Sequence, residues 1–371
     1  MAGETTTGVE PSTADTPEGP IARIRNALEG PNTLGNSRAF WVAFVALVGF
    51  LFVYPALRTT YYVSNTAFLL ASAFLGLSLG LVWGYAGIFS FGQVAFYGVA
   101  GYTFGVVSIN ITGPLGTVAG MAVAVFVAAA FAFLIGYFMF YGGVSDVYVA
   151  IITLAVTLVL NTFMGQTAGD EWAIGAARLG GFNGMTEIPS LALGVGGTAV
   201  RIADVPYYYF VVGTLLLTYL GLRVLVNSDI GYVMVGIREN EERTELFGYD
   251  TQRVKLGTFT LGGALAGFGG VVYASWGNYI DPSVFGLTFA ALPIIWVATG
   301  GRKWLSGAVI GTYVVSFISQ KLSVFGGGFS QVILGGLLLV VILGLPEGFV
   351  PQIHARLPWL LDRLPNGGDS S

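Results

Sequence analysis

The sequence predicts an all-α membrane protein, a polytopic transmembrane bundle of about ten helices. Hydrophobic residues make up 54% of the 371-residue chain and charged residues only 10%, whereas an average soluble domain has about 25% charged residues. Apolar segments of about 20 residues, the length that crosses a bilayer as a helix, recur along the chain. No segment shows the strict apolar–polar alternation that is typical of a barrel strand.

Two polar tails are predicted to flank a single transmembrane domain. Residues 1–38 are rich in Thr, Pro, Gly and Glu and contain no apolar core of a signal peptide, so we expect a disordered tail with a short surface helix over Ile21–Leu28. The transmembrane domain covers residues 39–350, and residues 351–371 form the second tail. In chain order, the predicted spans are Ala39–Leu57, Thr66–Trp83, Phe89–Ile109, Leu115–Phe140, Val147–Met164, Pro206–Val226, Leu256–Trp276, Leu287–Thr299, Trp304–Leu322 and Phe329–Phe349.

The positions of the basic residues predict how these spans are oriented. If the N-terminus is cytoplasmic and every segment crosses, all but four of the 16 Lys and Arg residues fall on the cytoplasmic face, as the positive-inside rule requires. Both termini are then cytoplasmic, residues 165–205 form an outer loop and residues 227–255 form a cytoplasmic loop. The outer loop could dock an extracytoplasmic protein or cap the outer mouth of the bundle. The four exceptions are Arg58, Arg178, Arg201 and Lys321.

The stretch Gly84–Tyr102, GYAGIFSFGQVAFYGVAGY, places several glycines and polar side chains in sequence that is otherwise apolar enough for a bilayer. Because unwound backbone at membrane depth is tolerated only where it is buried in protein or lines a cavity, this stretch indicates a solute pathway. Polar residues spaced by four in the fifth span share one helix face and would add a hydrogen-bonding stripe. Interhelical hydrogen bonding is the alternative for Thr153 and Thr157. The predicted pathway residues are Ser90, Gly92, Gln93, Phe96, Thr153, Thr157 and Asn161.

The loop 227–255 is dense in charge, and Glu239–Phe247 within it has the composition of a short helix. Gly248 follows at a plausible C′ position, where a glycine ends a helix. A solvated helix between two spans suits the docking of a partner, and an ordinary charged loop is the alternative. In the next span, Gly263, Gly267 and Gly270 predict close packing against another helix, either of this chain or of a second subunit.

Several function classes are excluded by residues that the sequence lacks. There are no cysteines, which excludes thiolate metal sites, and the net charge of −4 is too small to imply a nucleic-acid partner. The spans lack the intramembrane carboxylates or histidines of proton-driven carriers, and the chain lacks the Walker A run GxxxxGK[ST]. We therefore predict a transport protein that is not itself an enzyme, holds no cofactor or metal and takes its energy from a partner. A passive solute channel is the alternative.

Four segments carry a family resemblance: Gly84–Tyr102, RENEERTELFGYD at 238–250, TFTLGGALAGFGGVVYA at 258–274 and IIWVATGGRKWLSGAVIG at 294–311. Together they resemble the permease subunits of ABC importers for branched-chain amino acids, and their urea and short-amide relatives. The similarity covers roughly Phe68–Val350. It implies a permease of branched-chain or other hydrophobic amino acids, with urea or short amides as the alternative cargo.

The resemblance also implies partners and a location. They are a second, homologous permease subunit in a heterodimer, two ABC ATPase subunits that carry the ATP and Mg²⁺, and an extracytoplasmic substrate-binding protein. The location is the inner membrane of a prokaryote. In such permeases a cytoplasmic coupling helix contacts the ATPase, and the matching residues here are Glu239, Asn240, Glu242, Arg243, Leu246, Phe247 and Gly248.

Overall fold

A computed structural model describes residues 28–194, 200–323, 332–333, 335–336, 344 and 348–352. Over these ranges the chain is a bundle of α-helices, which confirms the predicted all-α fold class. Most of the predicted surface helix Ile21–Leu28, of the span Phe329–Phe349 and of the C-terminal tail lies outside the described residues. The α-helices are α1 (Arg38–Leu57), α2 (Thr60–Leu79), α3 (Gln93–Asn110), α4 (Pro114–Tyr141), α5 (Asp146–Gly165), α6 (Asp204–Val226), α7 (Asp229–Glu239), α8 (Glu241–Leu246), α9 (Thr251–Gly277), α10 (Leu287–Gly300) and α11 (Leu305–Leu322).

Six helices in the described part of the chain are long and apolar enough to cross a membrane, judged by length and composition. They are α1, α2 with its extension to Tyr85, α4, α5, α6 and α9, whereas α10 is a shorter apolar helix of 14 residues. The two hydrophilic connections lie at opposite ends of α6. We call the end that carries α7 and α8 the charged end, and the end that carries residues 166–194 and 200–203 the loop end.

Several predicted span boundaries are wrong. The seventh span begins at Thr251 rather than Leu256, and the changes to the second and third spans bear on the candidate site. The second span begins at Thr60 rather than Thr66, and it continues past Leu79 as a π-helix over Gly80–Tyr85. The third span begins at Gln93 rather than Phe89, because the backbone of residues 86–92 is not helical. Gly87 has a φ of +77°, which a right-handed helix does not accommodate. We call residues 86–92 the break.

The predicted helix Glu239–Phe247 is also corrected. Glu239 is the last residue of α7, a separate helix that the composition of the loop did not indicate. The chain is extended at Asn240, and the Asn240 side chain accepts a hydrogen bond of 2.8 Å from the backbone N–H of Arg243. Asn240 is thus the N-cap that starts α8. Gly248, with a φ of +89°, follows the C-cap residue Phe247 as predicted.

The core of the bundle forms where α9 packs against α2, α3 and α4. A Cβ placed on Gly263 or Gly267 would overlap the methyl groups of Ala132 and Ala128 in α4, and one on Gly270 would overlap the Tyr97 carbonyl in α3. The glycines therefore let the helix backbones approach closely, as predicted. Their partner helices belong to this chain.

Residues 166–194 and 200–203 lie on the loop end and include two short antiparallel strand pairs, β1 (Ala173–Ile174) with β2 (Ala177–Arg178) and β3 (Ala192–Leu193) with β4 (Val200–Arg201). The backbone groups of Met185 and Ile280 exchange hydrogen bonds of 2.7 and 3.1 Å. Met185 and Ile188 are buried against Gly105 of α3. The segment thus covers the ends of α3 and α9. Whether it also docks a binding protein stays a prediction.

The described part of the N-terminal tail differs from the solvated segment that the sequence predicts. Residues 28–36, which we call the N-terminal strap, pack on the charged end around Arg223 of α6, which is 1% exposed. The Arg223 guanidinium donates hydrogen bonds to the carbonyl oxygens of Leu28 (2.6 Å), Leu34 (3.2 Å) and Gly35 (2.9 Å). A buried arginine needs such acceptors, and the nearby strap supplies them.

Candidate functional site

The break is held in place by hydrogen bonds to its own side chains and to α5. The hydroxyl of Ser90, which is 1% exposed, accepts from the backbone N–H of Gly92 at 3.0 Å. The Thr153 hydroxyl accepts from the N–H of Phe91 at 3.1 Å. A Cβ on Gly92 would lie 3.1 Å from the Cβ of Thr153. The structure therefore brings Ser90, Gly92 and Thr153 together, although the last is more than 60 residues away in sequence.

Gln93, the first residue of α3, lies in a buried polar cluster with Ser78 of α2 and Gly262 of α9. The Ser78 Oγ atom is 2.7 Å from the Gly262 carbonyl oxygen and 2.9 Å from the Gln93 side-chain oxygen. Since α9 rises about 1.5 Å per residue, Gly262 lies roughly 16 Å along α9 from Thr251. The cluster is thus well inside the bundle, on the side of the charged end.

The Gln93 amide does not have enough partners in this cluster. A serine hydroxyl has one proton, and the shorter contact to Gly262 takes it. The amide then fits best with its NH₂ group donating to Ser78 Oγ, since the two ends of an amide are assigned from their hydrogen bonds. The position at the other end of the amide, where the structure places Nε2, has no hydrogen-bond partner among the described residues, and Gln93 as a whole is 1% exposed. A buried polar atom without a partner is costly, so this amide end is available to a solute or water.

The other predicted pathway residues have different surroundings. Phe96 is fully buried and makes edge contacts with Phe131 and Phe259, at ring-centroid distances of 5.9 and 5.4 Å. The Thr157 hydroxyl donates at 2.7 Å to the Thr153 carbonyl of its own helix. Asn161 is only partly buried. Of the two threonines, Thr153 is the one whose hydrogen bonds join α5 to another segment.

The predicted coupling residues form a short projecting segment at the charged end. Leu246 and Phe247 are 87% and 72% exposed, and Glu242 and Arg243 are exposed beside them. We call these four residues the α8 surface. Glu239 and Asn240 are engaged within the chain, since Asn240 caps α8 and Glu239 accepts from Arg238 at 2.8 Å. That hydrogen bond, with the charges of Arg238 and Lys303, holds the pKa of Glu239 below its usual value.

The α8 helix is fixed to the bundle by its other side. Lys255 of α9, with 9% of its side chain exposed, pairs with Glu241 at 2.7 Å and lies over the Phe140 ring. The Glu245 carboxylate accepts from the Thr251 hydroxyl at 2.7 Å. A charge-assisted bond in a partly buried site is stronger than one in water. An external force on the α8 surface would therefore be passed to α9.

The sequence did not indicate two members of this region, Ser78 and Arg238. Ser78 is 15 residues from Gln93 in the chain, and only the packing of α2 on α3 and α9 brings them together. The Arg238 guanidinium donates a hydrogen bond to the carbonyl oxygen of Gly84, at the end of the π-helix. No spacing rule relates positions 154 residues apart.

Comparison with known proteins agrees with this architecture. A family model described as "Branched-chain amino acid transport system / permease component" matches residues 61–342. The chain belongs to this permease family. The match includes the break, the Gln93 cluster, α7, α8 and α9. Membership makes the chain a multi-pass transport subunit of an ABC importer, a class that works with ATPase and binding-protein partners.

Individual permeases are similar over most of the chain. The "High-affinity branched-chain amino acid transport system permease protein LivM" of Escherichia coli K12 is 27% identical over 303 residues, which cover 76% of this chain and 68% of the relative. The "Probable branched-chain amino acid transport permease protein LivM" of Methanocaldococcus jannaschii is 22% identical over 324 residues, covering 75% and 90%. An "L-arabinose ABC transporter permease protein AraH" of Azospirillum brasilense is 26% identical over 156 residues, covering 40% and 45%. No solved structure matches.

Proposed function

We propose that the chain is the membrane-spanning subunit of an ATP-driven importer that carries branched-chain and other hydrophobic amino acids across the inner membrane of a prokaryote. Its charged end faces the cytoplasm, where two ATPase subunits bind it. A homologous permease completes the heterodimer, and a binding protein delivers the amino acid at the loop end. Both LivM relatives are named for branched-chain amino acids, the AraH relative is named for L-arabinose, and none of the three is named for urea or an amide.

The single observation that supports this function best is the α8 surface. Exposed Leu246 and Phe247 side chains in solvent are unfavourable unless a partner covers them, and charged residues beside them give such a contact specificity. The Glu241–Lys255 ion pair connects this surface to α9, which lies in the centre of the bundle. A passive channel needs no such connection. The arrangement therefore favours a subunit that an ATPase drives from the cytoplasm.

The solute pathway is proposed to pass the break and the Gln93 amide. The pathway residues other than Asn161 are buried in this chain, so a path along them requires the break to move. The glycines of the break allow such movement. The unpartnered end of the Gln93 amide offers the solute a polar contact. Movement driven by ATP would then open the pathway in turn to each side of the membrane.

A substitution in the α8 surface tests the ATPase contact. We expect Phe247→Asp to reduce copurification of the ATPase subunits by roughly tenfold or more, because it puts a charge where an aromatic ring would be desolvated. The matched control is Phe182→Asp, which changes a ring that is 82% exposed at the loop end. Equal copurification of the two variants would contradict the contact.

A separate uptake experiment identifies the cargo. Labelled leucine and labelled urea are offered in parallel to proteoliposomes that contain the complex, with and without ATP.

A substitution at Gln93 tests the pathway. We expect Gln93→Leu to preserve the fold, because it removes a poorly satisfied buried amide, and to reduce leucine uptake by roughly tenfold through loss of one polar contact. The control is Gln166→Leu, at an exposed glutamine beyond the end of α5. Initial uptake rates, normalised to the amount of assembled complex, provide the measurement. Unchanged uptake in Gln93→Leu would remove this residue from the pathway.

A further inference from the structure

Helix α7 lies directly against the break, and the contact is made through Arg238. A Cβ placed on Gly87 would lie 3.1 Å from the Cα of Arg238 and 3.2 Å from its Cγ. The positive φ of Gly87 and the absence of a side chain there let the two backbones approach. The backbone and inner side-chain atoms of Arg238 therefore contact the break at Gly87, and its guanidinium reaches Gly84. The Arg238 side chain is 16% exposed.

The hydrogen bond from Arg238 to Gly84 replaces one that the backbone would otherwise make. The carbonyl oxygens of Leu81, Val82 and Trp83 accept from the N–H groups of Ala86, Ile88 and Gly87. The following carbonyl, that of Gly84, accepts from the Arg238 guanidinium. Helix ends leave carbonyl groups unpaired, and a cation is favourable at that end of the helix dipole. Arg238 thus caps the π-helix at the point where the break begins.

A third segment joins the same contact. The turn between α10 and α11 lies on Gly84, since a Cβ there would overlap the carbonyl oxygen of Arg302. The Glu239 carboxylate accepts from Arg238 at 2.8 Å and pairs with Lys303 of this turn at 3.5 Å. The end of α7, the start of the break and the α10–α11 turn are therefore held together by two adjacent residues of α7.

The α8 segment begins immediately after this contact. Asn240, the N-cap of α8, follows Glu239, so no flexible linker separates the α8 surface from Arg238. In the other direction, only residues 88–92 separate Gly87 from Gln93. A displacement of α8 has two ways into the bundle: the Glu241–Lys255 pair leads to α9, and Arg238 leads to the break.

We propose that Arg238 is a positioning residue of the transport cycle, which passes movement of the ATPase-bound α8 segment to the break and so to Ser90 and Gln93. This inference rests on the proposed function. It assigns to the Arg238–Gly84 hydrogen bond a role in coupling rather than in binding either the ATPase or the solute. Loss of the bond would leave ATPase binding intact while the break no longer responds to it.

The test uses the complete complex of both permeases, the ATPases and the binding protein in proteoliposomes. We expect Arg238→Gln to retain ATPase copurification and ATP hydrolysis but to reduce ATP-dependent uptake of labelled leucine by roughly tenfold. Arg238→Lys keeps the charge without the planar fork, and we expect an intermediate rate. The control is Arg253→Gln, which removes the same charge at the same end, from a side chain that is 79% exposed and pairs with Asp250. We expect this variant to match the unaltered chain.

A second measurement does not depend on the identity of the cargo. Since the chain has no cysteines, Phe91→Cys introduces one thiol into the break. The rate of its reaction with a membrane-permeable maleimide is compared without nucleotide and with ATP and orthovanadate. We expect the rate to change with nucleotide when Arg238 is present and to stay constant in Arg238→Gln.

Several results would overturn the inference. In the first, Arg238→Gln shows the uptake rate of the unaltered complex and its labelling still changes with nucleotide. In the second, Arg238→Gln loses ATPase copurification while the control variant keeps it. In the third, the labelling rate of Phe91→Cys does not change with nucleotide even when Arg238 is present. Failure of the proposed function gives different results. With a different cargo, the unaltered complex would show no ATP-dependent uptake of leucine, while the labelling comparison would still decide the role of Arg238. With no ATPase partner, the unaltered chain would not copurify with the ATPase subunits at all.

Discussion

Replacing Arg223 with alanine is expected to destabilise the protein by roughly 3 kcal/mol or more, because buried and half-buried carbonyl acceptors lose their donor at once. The guanidinium hydrogen-bonds the carbonyl oxygens of Leu28, Leu34 and Gly35, and it lies over the rings of Phe40 and Trp41 at 4.8 and 5.0 Å. Removing it leaves unpaired carbonyl groups and a gap beneath α1. None of the α1 residues is fully buried. The remaining contacts include hydrogen bonds from Tyr208 and Tyr209 to α1 and from Tyr85 to the strap.

The apparent melting temperature of the detergent-purified protein measures this effect, and we expect a fall of several degrees. Arg223→Lys should be less damaging, since the ammonium group keeps the charge but cannot reach all the acceptors of the guanidinium fork. Arg253→Ala is the control, because its side chain is largely exposed. A melting temperature for Arg223→Ala equal to that of the control would show that the strap does not depend on this arginine.

The second large effect is expected from a single methyl group at Gly270. Gly270→Ala should destabilise the protein by roughly 1 to 3 kcal/mol, because the new Cβ would overlap the Tyr97 carbonyl group, which belongs to helix backbone. The helices α3 and α9 would have to separate, and α9 is the helix on which α2, α3 and α4 pack.

The same substitution at Gly257, in the same helix, is expected to stabilise the protein. Nothing lies within 4 Å of a Cβ at that position, and alanine is favoured over glycine in a helix by about 1 kcal/mol. Melting temperatures of the two variants, measured in one detergent, provide the comparison. If Gly270→Ala were as stable as Gly257→Ala, the close α3–α9 approach would not be what holds the core together.

Much of the fold could be predicted from the sequence because hydrophobicity and length are local properties. A run such as Leu115–Phe140 must hydrogen-bond its own backbone in lipid, and α4 does so over Pro114–Tyr141. The same holds for Gly248, where a glycine after a short charged run was sufficient to place the end of α8. The glycine spacing in α9 predicted close packing in the same way, although not which helices it packs against.

The break shows where local properties are insufficient. Large apolar residues recur at Phe89 and Phe91 despite the glycines and Ser90 beside them, so the sequence placed the start of the third span too early. The helix of the second span ends at Tyr85 because Gly87 adopts a positive φ and Arg238 caps Gly84. Both of these features depend on contact with α7. Helix α7 itself was missed because Val233, Met234 and Ile237 become a buried face only once the bundle is formed.

The sequence by itself determined that this chain is a helical membrane protein, and its motifs indicated a permease. Those properties follow from the free energy of transferring each segment into lipid and from which residue types are present. Only the tertiary structure decided that Gln93 meets Ser78, that Arg223 holds the strap and that Arg238 joins α8 to the break. Hydrogen bonds between residues far apart in the chain depend on helix packing, which no local pattern encodes.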